Sequence, residues 1–273
     1  MANSFLSTIG NNLSCWPDSP GSHHSDCTVV IPTYNEYENI GVLVTEILSH
    51  SDFHILIVDD NSPDGTGQIA TQLSRESDRV KVLIRPGKKG LGTAYIEGFQ
   101  QALRDGANFI CQMDADFSHA PQDLPLLVDA VATKWDVALG SRYIPGGDTV
   151  NWGLFRQILS KGGNRYARTI LGLGIKDCTS GFRCYHRKVL ENLDLDAIYS
   201  NGYSFQIEML FHALCLNFSV GEIPIKFTER RTGHSKMSKH IVFEAIRIPW
   251  QLRFQVNQIK ARAKSNPDKS RPA

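Results

Sequence analysis

The chain of 273 residues carries a formal net charge of +1, with 41% hydrophobic and 21% charged residues. This is the make-up of a globule able to bury a core, in one large α/β domain or two small ones, and it excludes polyanion binding driven by overall charge. No apolar run reaches about 18 residues, and the N-terminus lacks a basic start with a long apolar centre, so neither a transmembrane helix nor a secretory signal is expected.

Residues 1–25 are rich in Ser, Asn, Gly and Pro and read as a disordered leader. A β-branched run at 27–32 predicts a buried strand. After a turn, Asn35 or Glu36 opens a helix with Ile40, Leu43, Val44, Ile47 and Leu48 at helical spacing. A second strand, 54–58, ends at Asp59 and Asp60, and Asp64 reads as the N-cap of a helix running to Glu76. A third strand covers 80–84. Gly90 and Gly92 open a helix reaching Leu103; they lack the third glycine of a dinucleotide fingerprint and follow the third strand, not the first, so a nicotinamide site is not indicated. The apolar run 108–111 is a fourth strand, 121–133 a helix and 136–139 a fifth strand. Strands alternating with helices at this spacing predict a mainly parallel sheet covered on both faces.

After Gly140 the alternation lapses. A Gly-rich loop runs through Gly147, and a helix covers about 152–171. An irregular strand-like piece spans 177–185, a helix 202–216 and a strand 220–227. A polar loop at 229–236 precedes a last helical segment, about 238–264, interrupted at Pro249.

Asp114 and Asp116 end the fourth strand, at the edge where open α/β sheets bind ligands. Residues two apart in a strand share a side, so the carboxylates repel unless a cation lies between them. Mg²⁺ or Mn²⁺, which leave positions for substrate phosphates, suit the pair; a solvated turn is the other reading. Asp59 and Asp60 reach the same edge as acceptors for a base or ribose, or as a capping turn. Tyr34 can stack on a base and Glu36 accept from it. Three separated segments thus bring acceptors to one edge.

Cations flank them. Arg142 follows the fifth strand. Arg156 and Ser160, four apart, share a helix face that Asn164 and Arg168 continue. Arg230 and Lys236 bracket a Gly-containing loop. Metal-binding acids with flanking cations indicate a substrate bearing several phosphates, although any single cation also reads as a solvated surface charge. His119 reads as a turn residue beside the acids and His234 as a weaker candidate in the basic loop. The six cysteines (15, 27, 111, 178, 184, 215) form no C-x-x-C pair, so zinc is not expected and reduced thiols are. From Lys236 onward nine basic residues face two acidic ones, an excess suited to anionic lipid or nucleic acid. Without interleaved stacking aromatics on a recognisable module, nucleic acid is the poorer partner.

The stretches Val30-Ile-Pro-Thr-Tyr-Asn-Glu36, Val58-Asp-Asp-Asn-Ser-Pro-Asp-Gly-Thr66, Met113-Asp-Ala-Asp-Phe-Ser-His119, Gly140-Ser-Arg-Tyr143 and Thr179-Ser-Gly-Phe-Arg183, with Arg230 and Lys236, together resemble inverting glycosyltransferases of family 2 with a GT-A fold. The nearest likeness is to the polyprenol-phosphate (dolichol-phosphate) mannose synthase branch, over 27–236. The resemblance implies one Rossmann-like GT-A domain at 26–236 with a mainly parallel sheet flanked by helices. An amphipathic segment at 237–264 follows, lying in a membrane interface or packed on the domain, then a disordered tail at 265–273. It implies that Pro32, Tyr34, Glu36, Val58 and Asp60 hold the nucleotide, expected to be GDP. Asp114, Ala115 and Asp116 would contact the donor, and Asp116 with Ser118 and Asp114 would hold Mg²⁺ or Mn²⁺; some members carry Gln in place of Ser118. Arg142, Arg156 and Ser160 would bind the acceptor phosphate, and Arg230 and Lys236 would reach the donor diphosphate. Catalysis would rest on Asp114, Asp116, Arg142, Arg230 and Lys236. Glu208 is a reserve candidate for contacting the sugar or orienting an arginine, against a helix-surface carboxylate.

The implied reaction is inverting transfer of mannose from GDP-mannose to a polyprenyl phosphate, by a cytoplasmic protein held peripherally at a membrane surface. A small membrane subunit serves some members as partner. The alternatives are another nucleotide sugar such as UDP-glucose, and a non-catalytic lipid- or nucleotide-binding subunit, against which the intact charge set argues.

Overall fold

The computed structural model describes residues 23–200, 202–229 and 239–264. Its first half follows the βα alternation. β1 (Cys27–Thr33), α1 (Tyr37–His50), β2 (His54–Asp59), α2 (Thr66–Glu76), β3 (Val80–Ile84), α3 (Leu91–Arg104), β4 (Phe109–Gln112), α4 (Leu124–Thr133) and β5 (Val137–Ser141) succeed one another. Then come β6 (Asp148–Val150), α5 (Leu154–Leu171), β7 (Arg183–His186), α6 (Arg187–Asn192), α7 (Gly202–Cys215), β8 (Val220–Pro224), β9 (Lys226–Thr228) and α8 (Lys239–Lys264). Seven strands form one sheet in the order β3-β2-β1-β4-β7-β5-β8, and β6 pairs with β9 separately.

The strands are β-branched on both sides because both faces are covered, as a parallel sheet requires. On one face Val29, Ile31, Ile55 and Ile57 pack with Ile40, Leu43 and Ile47 of α1 and Leu127 and Val128 of α4. On the other, Val30, Leu56 and Val58 pack with Tyr95 and Phe99 of α3 and Phe205 and Met209 of α7. Each such side chain contributes about 1.5–3 kcal/mol by leaving water. Gly98 lets α3 lie close, since a Cβ there would meet Val30 and Val58. A third cluster joins Ala167 of α5, Leu210 of α7 and Ile248 and Leu252 of α8.

Several expectations need correction. β7 runs antiparallel to both β4 and β5, so its first residues share the edge where those strands end. The expected strand 220–227 is two strands in different sheets, with Ile225 buried between them. The short elements β6 and α6 have too little periodicity to be read in advance. Pro249 does not interrupt α8, which is continuous around it; in that turn the Ile246 carbonyl accepts from the Tyr166 hydroxyl (3.0 Å). A short 3-10 turn, His24–Asp26, precedes β1. His24 is buried, with its ring nitrogens 2.5 Å from Ser51 Oγ and 3.0 Å from Asp129 Oδ1.

Candidate active site

The C-terminal ends of β1, β2, β4 and β5 and the start of β7 lie along one sheet edge. The residues beyond those ends are the candidates. Strand β4 stops at Gln112, so Asp114 and Asp116 lie in the turn beyond it, and strand alternation does not set their orientation. The turn is tight: Phe117 adopts a φ of 59°, and the Ser118 amide donates to Asp116 Oδ1 (3.0 Å). The Tyr95 hydroxyl, from α3, donates to Asp114 Oδ1 (2.8 Å). Burial, then the Asp114 charge, pushes the Tyr95 phenol well above its ordinary range, so it stays a donor.

Asp116 is 7% exposed, and buried Ser118 Oγ has no hydrogen-bond partner among the described residues. A carboxylate beside an orphaned hydroxyl is a donor set fit for a hard cation. Among the described residues no group of three His, Cys, Asp or Glu side chains stands ready to hold a metal. His119 is a buried ring stacked on Phe182, with centroids 4.9 Å apart, and edge-on to Phe227.

The nucleotide candidates divide. Asp59 is a structural acid: Thr33 Oγ1 donates to it (2.9 Å), as do the Ser62 amide (2.9 Å) and hydroxyl (2.6 Å). Asp60 is raised by burial, against the pull of Arg85, whose Nη1 lies 2.5 Å from its Oδ1. Arg85 is almost fully buried and also lies 3.2 Å from Glu97. Pro32 is half-buried at the end of β1, Ala115 is buried, and Lys88 Nζ lies 3.9 Å from the Tyr34 ring centroid. Glu36 caps the start of α1, its amide donating to Thr66 Oγ1 (2.9 Å) and its carboxylate accepting from Asn39 (2.8 Å). The Val58 side chain is core, which leaves only its backbone for a ligand. The expected N-cap, Asp64, stands one residue before the cap position; it accepts from Thr66 (3.0 Å) and ties in α1 through the Tyr37 amide (3.1 Å).

The cation side is built over longer range. Arg142 is buried and makes a two-pronged bond to Asp177: Nε to Oδ2 and Nη2 to Oδ1, each 2.7 Å. Its Nη2 also donates to Thr179 (2.8 Å), and the guanidinium lies over Tyr143, Trp152 and Phe227. Burial alone would raise the Asp177 carboxyl, but hydrogen bonds and charge from Arg142 outweigh it and hold it below the usual range. Asn164 Oδ1 accepts from the Cys178 amide (2.9 Å). Fully buried Arg183 donates to the carbonyls of Ser180 (2.8 Å), Cys178 (3.0 Å) and Gln206 (2.8 Å). The segment 177–183 is thereby fastened, and a Cβ on its Gly181 would stand 3.6 Å from Asp114 Oδ2. One segment borders both the acids and Arg142.

Arg156 and Ser160 share a face of α5 but meet different groups. Arg156 pairs with Glu229 (2.9 Å) and stacks on Trp152; Ser160 Oγ lies 2.8 Å from the Tyr143 hydroxyl. Glu208 is fully buried, not a helix-surface carboxylate. It lines a cavity of about 290 Å³ between α7 and α8 with Tyr199 and His212, and burial raises its carboxyl. Arg230, Lys236 and His234 lie outside the described residues; before them, the Thr228 amide donates to the Ser118 carbonyl (3.1 Å).

Sequence reading missed Arg85, Tyr95 and Asp177. Arg85 had a signal: β2 and β3 are neighbours, with Asp59 opposite Ile84, so the next residues bear opposite charges.

Known proteins are similar to this chain along most of its length. Residues 28–194 match the glycosyl transferase family 2 model. The chain is 51% identical over 221 residues to the polyprenol monophosphomannose synthase of Mycolicibacterium smegmatis, covering 80% of this chain and 83% of that one. It is 46% identical over 220 residues to the undecaprenyl-phosphate mannosyltransferase of Micrococcus luteus, covering 80% and 89%. The glucosyl-3-phosphoglycerate synthase of Mycobacterium tuberculosis, solved with Mn²⁺, UDP and glucosyl-3-phosphoglycerate, matches with a TM-score of 0.58 at 18% identity over 92% of this chain and 85% of that one, a likeness of fold alone. Among the described residues no helix is long and apolar enough to cross a membrane. With its mostly parallel sheet, its acidic turn at the sheet edge and these relatives, the chain belongs to glycosyl transferase family 2, the glycosyltransferases of GT-A fold.

Proposed function

We propose that this chain transfers mannose from GDP-mannose to a polyprenyl phosphate at a membrane surface, with a divalent cation at the Asp114–Asp116 turn. The observation that carries the reading is one sheet edge bearing these acids beside a held Arg142, in a chain 51% identical to a polyprenol monophosphomannose synthase.

The chemistry asks little of the protein beyond placement and charge balance. A phosphate monoester has its second pKa near about 6, so at neutral pH it is largely dianionic and attacks the sugar C1 without a strong base. Arg142, oriented by Asp177, would hold it with Arg156 and Ser160. A single displacement inverts C1, giving a β-linked mannosyl phosphate from an α-linked donor. The C1–O bond breaks and its electron pair leaves on the nucleoside diphosphate. Asp116 and Ser118, with Asp114, would hold Mg²⁺ or Mn²⁺, which when bound neutralises charge on the departing diphosphate. Arg230 and Lys236 would add to that neutralisation. Exposed Ile246, Trp250 and Phe254 on α8 support a membrane-facing position, although Ile248 and Leu252 of the same helix pack on the domain.

The test is transfer from radiolabelled GDP-mannose to a polyprenyl phosphate in detergent, with and without Mg²⁺ or Mn²⁺, beside UDP-glucose and an Asp116→Ala variant. Metal-dependent labelled lipid, absent with UDP-glucose and lost in the variant, is the expected result. Labelling from UDP-glucose alone would reassign the donor, and no labelling from either would overturn the reading.

A further inference from the structure

Glu208 is the one acid singled out in the sequence that the proposed reaction does not use. It lines the cavity of about 290 Å³ between α7 and α8, and none of the residues proposed for the reaction lines that space. The side chain is 0% exposed. Its Oε2 accepts from the Ser200 amide (3.0 Å). Its Oε1 is buried with no hydrogen-bond partner among the described residues. Asp194 is a second carboxylate of the wall, and no lysine or arginine lines it. Burial raises the Glu208 carboxyl, and the charge of Glu244 on α8 adds to the rise. At Tyr199, burial and then the Glu208 charge raise the phenol, against the pull of Arg247. A buried carboxylate in these surroundings is costly until a proton or a cation joins it.

The wall chooses among occupants. A water would satisfy Oε1 but brings no charge, and its share of volume is only about 30 Å³. A hard metal ion needs several anionic or oxygen ligands at once. Among the described residues no group of three His, Cys, Asp or Glu side chains could hold one. An organic ammonium ion brings a positive charge and N–H donors together. The rest of the wall suits its carbon body, because Leu193, Leu216 and Ile259 are apolar. Gln255 and Gln258 of α8 add amide oxygens, and the Tyr199 ring offers a face that attracts a cation.

We propose that this cavity binds a small organic ammonium ion, with its nitrogen on Glu208 Oε1 and its carbon body against Leu193, Leu216 and Ile259. The inference does not depend on the donor, acceptor or metal of the proposed reaction.

The test is ligand-observed NMR titration of the full chain with cyclohexylammonium, beside the uncharged cyclohexanol, at pH about 8, where an alkyl amine stays protonated as lysine does. The wild type should bind the ammonium probe saturably, and cyclohexanol at least about thirtyfold more weakly, as expected for a charge pair formed out of water. Glu208→Gln keeps the volume and removes the charge, and should lower ammonium binding to the level of cyclohexanol while circular dichroism stays unchanged. Gln255→Lys brings an ammonium of the protein's own to the cavity and should exclude the probe with Glu208 intact. Equal binding of the two probes by the wild type overturns the proposal. So does ammonium binding that both variants leave unchanged, which would place the probe on the outer surface. Absence of saturable binding by the wild type would leave the cavity to water and overturn it as well. None of these outcomes is read from transfer activity, so failure here and failure of the proposed reaction are told apart.

Discussion

The two sides of the crevice are built by opposite means. On the side proposed for the donor, neutral groups hydrogen-bond to several acids, Tyr95 to Asp114, the Ser118 amide to Asp116, and Thr33 and Ser62 to Asp59, while Asp60 is paired with Arg85. On the side proposed for the acceptor phosphate a buried arginine is held by a buried carboxylate, Arg142 on Asp177, 35 residues away. The first arrangement orients carboxylates largely through neutral hydrogen bonds. The second fixes a guanidinium in one orientation and cancels much of its charge. The difference teaches that, under the proposed function, the donor side would take up a cation on loading, whereas the guanidinium proposed for the acceptor side is already fixed.

The largest effect should come from breaking the acceptor side. Asp177→Ala leaves the Arg142 charge buried and unpaired and should cost about 3–5 kcal/mol of stability in denaturant unfolding; unchanged stability would erase the contrast. Asp177 has a depressed pKa, so its stabilisation is full above the unfolded value near about 3.9 and is lost as pH falls through the folded one. On the donor side, Asp116→Ala should leave the unfolding curve close to wild type while transfer falls by about 10²–10³-fold. A stability loss matching that at Asp177 would make the two sides alike.

Glu208 sharpens the comparison, being a buried carboxylate with no cation paired to it among the described residues. Its pKa is raised by burial, so its cost is present above the folded pKa and vanishes as pH falls toward the unfolded value near about 4.3. Glu208→Gln should therefore be more stable than wild type at pH about 8, by on the order of 1 kcal/mol, with the gap closing on acidification. Thermal melts across pH read this directly, and a gap that widens in acid would reverse the assignment. The smallest effect is expected from Tyr95→Phe, about 1 kcal/mol of stability, with a rise in KM for the donor exceeding any fall in kcat. Steady-state kinetics with the donor varied would show whether Tyr95 acts through Asp114 at all.

The sequence by itself determined the βα alternation, the strands β1 to β5, the edge to which Asp60, Asp114 and Asp116 are delivered, and the packing face of α1. These follow from local periodicity: side chains repeat every two residues in a strand and every three or four in a helix, and turns follow where apolar runs stop. Even there the chemistry of the turn was misread, because Asp114 and Asp116 lie past Gln112 and owe their placement to Phe117 and the Ser118 amide. Tertiary structure alone decided the reversal of β7, the burial of Glu208 under α8, and the partners of Arg142 and Arg156. Asp177 and Glu229 meet those arginines only once α5 and β7 have packed, and no local pattern carries that pairing. A residue's periodicity is set by its neighbours in the chain, whereas a buried charge is set by whatever the fold brings against it.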